Sequence, residues 1–187
     1  MAQDGSGSVQ ELPHSGYTLV QQQITIYPNQ RPTIDSVTVR YRASDGNFVE
    51  VKDNGERRFL AFSNNGKYLR LMEDASGSHL VQVGSHNEKL AFDEDALQRA
   101  PNLREEQPIE WIAGVKCIVT RIENSNMSMD IYFAPSLGIP LQTTVNYKNT
   151  GMVITIRPVA LEFGEPDRKV FEDLPVTLPV KTLSRRC

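Results

Sequence analysis

The chain has 187 residues, of which 39% are hydrophobic and 23% charged, with a formal net charge of -3. This length suits one domain with a substantial core, and the interspersed charges describe an ordinary polar surface. The basic pairs at Arg57 and Arg185 are short and not interleaved with aromatic residues, which makes nucleic acid a poor partner. No stretch approaches the roughly 18 apolar residues of a membrane span, so no transmembrane segment is predicted.

The N-terminal segment is polar, since Met1 is followed by Ala2-Gln3-Asp4-Gly5-Ser6-Gly7-Ser8. Such a segment is typical of a mature exported protein to which an initiator methionine has been added. The sequence therefore predicts a periplasmic or secreted protein whose signal peptide has been removed. We expect residues 1–16 to form a flexible N-terminal segment.

Alternating apolar residues predict strands in the first half of the chain. The first runs from Tyr17 to Tyr27 and the second from Ile34 to Arg42, with prolines at 28 and 32 interrupting the pattern between them. On the second strand, Val37, Val39 and Tyr41 share one face, and the opposite face carries Ser36, Thr38 and Arg40.

Turn signals then recur at hairpin spacing. Each supplies the positive φ angle that a tight turn between strands needs. They are Ser44-Asp45-Gly46, Asp53-Asn54-Gly55, Asn64-Asn65-Gly66 and Ala75-Ser76-Gly77, and the strands that follow them are predicted at 47–51, 57–62, 67–72 and 79–83. This part of the chain is therefore predicted to be a β-meander.

The middle of the chain has one helical segment and no catalytic signature. Asp93 is placed to cap a short helix that continues to Arg99. Glu105 and Glu106 are adjacent, so on extended backbone they point apart and form no acid–base pair. The histidines lack a cysteine or carboxylate at ligand spacing, and they are His14, His79 and His86. We expect no enzyme activity, no catalytic residue, no metal site and no cofactor.

The second half is predicted to form strands with one apolar surface. After a strand from Val115 to Ile122, three strands alternate apolar and polar residues, and the apolar set is Met127, Met129, Ile131, Phe133, Ile139, Leu141, Val145, Met152, Ile154 and Ile156. Two interpretations stay open. The surface is either half of a core packed on a helix or second sheet, or the lining of a pocket for a lipid or other apolar molecule.

Four segments near the C-terminus resemble the periplasmic lipoprotein-carrier superfamily of bacterial exported proteins. They are Trp111-Ile112-Ala113-Gly114-Val115-Lys116-Cys117, Met129-Asp130-Ile131-Tyr132-Phe133-Ala134-Pro135, Leu137-Gly138-Ile139-Pro140-Leu141, and Phe163-Gly164-Glu165-Pro166-Asp167 with Phe171 and Leu174-Pro175. The family's strand-borne tryptophan is replaced here by Tyr132 or Phe133. The resemblance implies a strongly curved, unclosed β-barrel that can shelter acyl chains.

Together these observations predict a mainly β fold, an antiparallel meander forming a strongly curved sheet or unclosed β-barrel with one or two short helices covering the concave face. Residues 17–175 are predicted to be a single β-rich domain, and residues 176–187 an extended C-terminal tail. Cys117 and Cys187 either form one disulfide in an oxidising compartment or remain two thiols.

Two functional hypotheses follow. In the first, a non-enzymatic bacterial cell-envelope protein binds a lipid or other apolar ligand in its half-barrel. In the second, the domain has no ligand and serves as a structural or protein-interaction domain of an envelope assembly, contacting another envelope protein through a sheet edge or the tail.

Overall fold

A computed structural model describes residues 16–75, 77–85 and 108–181 of the chain. Most of these residues belong to strands, and one short helix follows the last long strand. The strands are β1 (Tyr17–Ile26), β2 (Thr33–Arg42), β3 (Phe48–Asp53), β4 (Arg58–Asn64), β5 (Lys67–Asp74), β6 (Gly77–Ser85), β7 (Ile109–Ile112), β8 (Val115–Glu123), β9 (Met127–Ala134), β10 (Ile139–Tyr147), β11 (Val153–Phe163) and β12 (Val180–Lys181), and the helix is α1 (Lys169–Glu172).

All twelve strands belong to one open sheet, whose order is β12-β6-β5-β4-β3-β2-β1-β11-β10-β9-β8-β7. Two antiparallel meanders, β1–β6 and β7–β11, are joined where β1 pairs with β11. The short strand β12 is parallel to β6 and extends the sheet at that end. The prediction of an unclosed, mainly antiparallel β-sheet is therefore confirmed, whereas the division into segment, domain and tail stays a prediction.

The hairpin turns form where the sequence predicts them. At the turn between β4 and β5, Asn65 has a φ of 50° and Gly66 a φ of 72°. Two consecutive positive φ angles are typical of the tight hairpin turn whose twist matches the strands that it joins. The glycines of the other predicted turns within the described residues, from Gly46 to Gly151, also have positive φ angles.

Three elements were not predicted from the sequence. β7 is joined to β8 by the two-residue turn Ala113-Gly114, in which alanine, at a φ of 50°, takes the place that asparagine usually occupies. The short α1 and β12 follow the proline-containing segment after β11. The predicted helix at 93–99 lies outside the described residues, as do Glu105, Glu106, His14, His86 and Cys187.

The sheet has two hydrophobic clusters. The first joins Tyr17 and Leu19 of β1 to buried residues on β8–β10, namely Val115, Cys117, Ala134, Ile139 and Leu141. The second lies on the opposite wing, where Val49, Phe62, Leu69 and Leu80 are buried on β3–β6. It is covered by Val170 and Phe171 of α1 and by Leu174 and Leu178 of the following segment. The C-terminal segment therefore packs on the sheet face that carries Phe62.

The other face, which carries Gln21 and is called here the Gln21 face, is curved. The amide of Gln21 on β1 donates hydrogen bonds to the carbonyls of Leu141 at 2.9 Å and Pro140 at 3.3 Å, both on β10. In the sheet order β11 lies between β1 and β10. In a flat sheet the backbones of β1 and β10 would be about 9.6 Å apart, beyond the reach of one side chain. The sheet therefore bends toward the Gln21 face.

A bulge accompanies this bend. The pairing of β10 with β9 shifts between Pro140 and Gln142, which leaves Leu141 as the extra residue. A bulge bends its strand and breaks the alternation of side chains. Ile139, paired with Ala134, and Val145, paired with Met129, consequently lie on opposite faces of β10. The expectation that Ile139, Leu141 and Val145 share one face is wrong for this reason.

Candidate functional site

Seven of the ten apolar residues predicted as a lining lie on the Gln21 face of β9–β11. Strand partners lie side by side on one face, and the register joins Met129 to Val145 and Val145 to Ile154. We call these seven residues the apolar face: Met127, Met129, Ile131, Phe133, Val145, Ile154 and Ile156. Ile131 is buried and the other six are half-buried.

The other three predicted residues are placed differently. Ile139 and Leu141, exposed by 2% and 0%, belong to the first hydrophobic cluster. Met152 precedes β11, and its carbonyl accepts a hydrogen bond from the backbone N–H of Tyr147 at 2.8 Å. Whether any of the ten residues contacts a ligand stays a prediction.

Two rows of strand partners lead away from the apolar face. In the first, Ile131, Thr143, Ile156, Gln23 and Ser36 are successive partners on β9, β10, β11, β1 and β2. The second row begins at Ile122 on β8 and passes through Met129, Val145 and Ile154 to Thr25 on β1. Both rows therefore begin with apolar side chains and end with polar ones.

The polar end of the first row, Gln23 and Ser36, lies at a cleft of about 420 Å³, called here the polar cleft. It is formed over β1–β5 on the Gln21 face. The residues around it are Gln23, Asp35, Ser36, Glu50, Lys52, Asn54, Phe59, Leu60, Ala61 and Arg70.

An ion pair lies beside the polar cleft. Arg40 on β2 and Glu50 on β3 are register partners, and the guanidinium donates through both Nε, at 2.8 Å, and Nη2 to Glu50 Oε2. Burial disfavours the charge of Arg40, but the Glu50 carboxylate together with Tyr17 and Tyr68 outweighs this effect, so the pKa of Arg40 is raised. Burial, together with the charge of Glu50, raises the pKa of the nearby Tyr68 hydroxyl. Glu50 therefore already has a cationic partner.

A second polar network lies on the β1 side of the cleft. Asp35 Oδ2 accepts hydrogen bonds from the hydroxyl of Thr25 and from Gln23 Nε2, the latter at 3.3 Å. Gln23 Oε1 in turn accepts from Lys52 Nζ at 3.3 Å. The amide of Gln23 thus links the carboxylate of Asp35 to the ammonium of Lys52.

Ser36 differs from these residues because its hydroxyl is unpaired. The residue is 5% exposed, and its Oγ has no hydrogen-bond partner among the described residues. A buried hydroxyl without a partner costs free energy, and most native proteins avoid one. Ser36 is therefore a buried residue of the cleft whose hydroxyl has no hydrogen-bond partner among the described residues.

A larger cavity of about 850 Å³ lies between the turns after β2 and β4 and the C-terminal segment. Several of its polar groups are already paired. The Ser63 hydroxyl accepts from the backbone N–H of Phe48 and donates to Asn47, and Glu165 accepts from the backbone N–H of Ser44. Neither this cavity nor the polar cleft is lined by any of the ten predicted residues. Neither of the buried polar atoms that lack a partner among the described residues belongs to the larger cavity, which makes it the weaker candidate.

The described residues contain no group of three or more histidine, cysteine or acidic side chains placed to hold a metal ion. His79 is buried, with Nδ1 3.7 Å from Asp74 Oδ2. Cys117 is a buried residue whose Sγ lies 3.6 Å from the Val115 carbonyl, and burial raises the pKa of its thiol. Its pairing with Cys187 stays a prediction, because Cys187 lies outside the described residues.

No helix in the part of the chain that the structure describes is long and apolar enough to cross a membrane.

The sequence reasoning missed the polar cleft. The available signal was the polar alternation of β2, where Ser36, Thr38 and Arg40 share a face, followed by Glu50 and Lys52 on β3. These residues are joined by strand register, since Thr38 pairs with Lys52 and Arg40 with Glu50. A polar face is ordinarily a solvated one, so the alternation alone did not indicate a cleft.

No family model matches the chain, and no curated protein matches it. Several solved structures are similar. A MucA/MucB complex from Pseudomonas aeruginosa has 13% identity and a TM-score of 0.49, with 89% of this chain and 59% of that chain covered. A LolA superfamily protein from Nitrosomonas europaea has 12% identity and a TM-score of 0.40, with coverage of 86% and 91%.

A putative outer membrane lipoprotein-sorting protein domain from Vibrio parahaemolyticus has 9% identity and a TM-score of 0.36, with coverage of 84% and 89%. The chain spans only 54% and 59% of the two MucB chains from complexes with MucA. The similar structures thus include members of the superfamily that the C-terminal motifs resemble. Every one of these TM-scores is below 0.5, so the proposals below depend on the geometry of this chain.

Proposed function

We propose that the protein is a non-enzymatic binding protein of the bacterial cell envelope, and that its curved sheet holds an amphiphilic ligand such as a lipid. The apolar part of the ligand lies across the apolar face and the polar part lies in the polar cleft. The observation that carries this proposal is the row from Ile131 through Ile156 to Gln23 and Ser36, which joins an apolar surface to a polar cleft on one side of one sheet.

The apolar face suits such a ligand because its side chains retain surface to bury. Six of its seven members are half-buried, and Ile122, the first residue of the second row, is 45% exposed. Removing this surface from water stabilises a complex by about 25 cal/mol per Å² of apolar area. Met127 and Met129 add flexible thioether side chains, which adapt to ligands of differing shape.

The experiment is a titration of the purified protein with cis-parinaric acid, a fatty acid whose fluorescence increases in an apolar environment. We expect saturable binding that weakens about tenfold in Met129→Gln, because an amide replaces an apolar contact. Met72→Gln is the matched control, since Met72 lies on β5 near the far end of the sheet and is 42% exposed. Absence of saturable binding, or equal effects of the two substitutions, would refute the proposal.

The envelope location is part of this proposal. It is tested by fractionating bacterial cells that express the protein from its natural gene. Recovery with periplasmic or secreted markers is the expected result, and recovery with cytoplasmic markers alone contradicts it.

A second candidate function, protein interaction, is favoured by the edge strand β7. Its outer side has no partner strand among the described residues, and it carries Trp111 and Ile109, exposed by 70% and 54%. An open edge of this kind can pair with a strand of another protein. A photo-crosslinking residue placed at Trp111 is expected to capture such a partner in cells, whereas the same residue at exposed Tyr27 is not. No crosslink at either position rejects this candidate.

A further inference from the structure

We propose that the polar cleft is a subsite for a phosphate group, which the head group of the bound amphiphile carries. This inference rests on the proposed function and adds to it the chemical class of the ligand. Three side chains supply the recognition, namely Lys52 on β3, Arg70 on β5 and Ser36 on β2.

The two cations of the cleft have donors to spare. Lys52 is half-buried, and within the described residues its only hydrogen-bond acceptor is Gln23 Oε1. An ammonium group has three N–H donors, so two remain. Arg70 is exposed and forms no ion pair within the described part of the chain. Its side chain is hydrogen-bonded to the Tyr68 hydroxyl, which leaves the other donors of its planar fork available.

The carboxylates of the cleft are engaged elsewhere. Glu50 is held by the guanidinium of Arg40, so this pair contributes no net charge. Asp35 accepts from Thr25 and Gln23 on the β1 side of the cleft. With Arg40 included, the cleft has three cationic side chains against two acidic ones, which favours an anion.

Ser36 provides the second, independent observation. Ser36 is 5% exposed and lines the cleft, and its buried hydroxyl has no partner among the described residues. A ligand oxygen that accepts this hydrogen would remove the penalty of the unpaired group. Beside Lys52 and Arg70, an anionic oxygen can accept from this hydroxyl without adding positive charge, whereas a cationic ligand would add one.

Phosphate fits these three donors better than other common head-group anions. Its tetrahedral oxygens accept hydrogen bonds from several directions, and both guanidinium and ammonium groups form strong charge-assisted hydrogen bonds with it. Free phosphate offers the same chemistry without the acyl chains. The test must therefore separate a phosphorylated amphiphile from the anion alone.

Calorimetry on the whole chain with three probes achieves this separation. The probes are dioctanoyl phosphatidic acid, dioctanoylglycerol and inorganic phosphate, each added below its critical micelle concentration where one exists. We expect phosphatidic acid to bind at least about tenfold more tightly than either other probe. Lys52→Gln and Arg70→Gln are expected to reduce this preference by about tenfold each, whereas Lys116→Gln, the same charge change at an exposed site on β8, leaves it intact.

Ser36→Ala gives a readout that a purely structural role would not give. Removing an unpaired buried hydroxyl is expected to raise the melting temperature of the ligand-free protein, while binding of phosphatidic acid weakens several-fold. Lower stability together with unchanged binding contradicts the role assigned to Ser36. Because Arg70 is exposed, Arg70→Gln keeps the test valid even where Lys52→Gln folds poorly.

Three outcomes overturn the inference in distinguishable ways. Equal affinities for phosphatidic acid and dioctanoylglycerol reject the phosphate subsite and leave the proposed function standing. Inorganic phosphate bound as tightly as phosphatidic acid rejects the head-group assignment, because the chains then add nothing. Failure of both lipids to bind rejects the proposed function itself.

Discussion

Gln21 is expected to hold the bend of the sheet, and replacing it tests that role. In Gln21→Leu the side chain keeps a similar size but loses the N–H donors that now reach Leu141 O at 2.9 Å and Pro140 O at 3.3 Å. These carbonyls lie at the bulge, beyond the end of the β10–β11 pairing, which begins at Thr143. Gln21 is 9% exposed, so solvent replaces the lost donor poorly.

Gln21→Leu is expected to lower the free energy of unfolding because it leaves the carbonyls of Pro140 and Leu141 without this donor. A buried carbonyl without a donor costs about 1–3 kcal/mol, and the apolar gain from leucine offsets a part of this. At about 2–4 °C per kcal/mol for a chain of this size, the melting temperature should fall by about 2–12 °C. Urea unfolding, followed by far-UV circular dichroism, measures the loss in free energy of unfolding, and the m-value is expected to stay the same.

The matched control is Gln22→Leu, one residue along β1 on the opposite face, where Gln22 is half-buried. We expect a change within about 0.5 kcal/mol there. Equal stabilities for the Gln21 and Gln22 variants would show that the amide does not hold the bend, and the explanation of the curvature would fail.

Gln21→Glu adds a test with a pH dependence. The buried carboxylate would face two carbonyl oxygens, which raises its pKa in the folded state above the unfolded value of about 4.3. A raised folded pKa gives stability that is present below the unfolded value and is lost as the pH rises through the folded value. The deficit relative to the wild-type protein should therefore be largest at neutral pH and shrink on acidification. A deficit independent of pH contradicts burial of the introduced group.

Three further predictions concern other parts of the sheet. Gly151→Ala should destabilise the protein by about 1–3 kcal/mol in urea unfolding, because φ is 67° and the added Cβ would lie 2.9 Å from Pro28 Cγ. Arg121→Gln should raise the pKa of Asp130, because the hydrogen bonds from Arg121 now lower it, and NMR titration would measure this rise. The lowered pKa stabilises the folded protein above about pH 3.9, and this contribution is lost as the pH falls through the folded pKa, so the variant should lack it. Cys117 should resist alkylation until denaturant is added, since it is 0% exposed and burial raises its thiol pKa; rapid reaction in the native state contradicts this.

Much of the fold could be predicted because local chemistry determines it. Asn65 and Gly66 adopt the positive φ angles that a hairpin needs, and the same backbone requirement explains the other glycine turns. Strand positions followed from alternation with a period of two. β7 escaped this reasoning because a four-residue strand has too little pattern and its turn begins with Ala113 instead of asparagine.

The candidate site was less predictable because it depends on register and on one bulge. The alternation of Ile139, Leu141 and Val145 continues unbroken in the sequence, yet the extra residue at Leu141 reverses it in the sheet. The polar cleft depends on which strands are neighbours, since Gln23 and Lys52 meet across β2 although 29 residues separate them along the chain. Neither property is encoded in local periodicity.

The central pairing of β1 with β11 has a consequence for the order of folding. Tyr17 pairs with Phe163, so the middle of the sheet forms only after nearly the whole described chain is available. The meanders β1–β6 and β7–β11 need only neighbouring strands and are expected to form first, each exposing an unpaired strand until they join. A ribosome-bound or truncated chain ending before β11 would present β1 as a bare edge, which makes the interval before this last pairing the time of greatest exposure to aggregation.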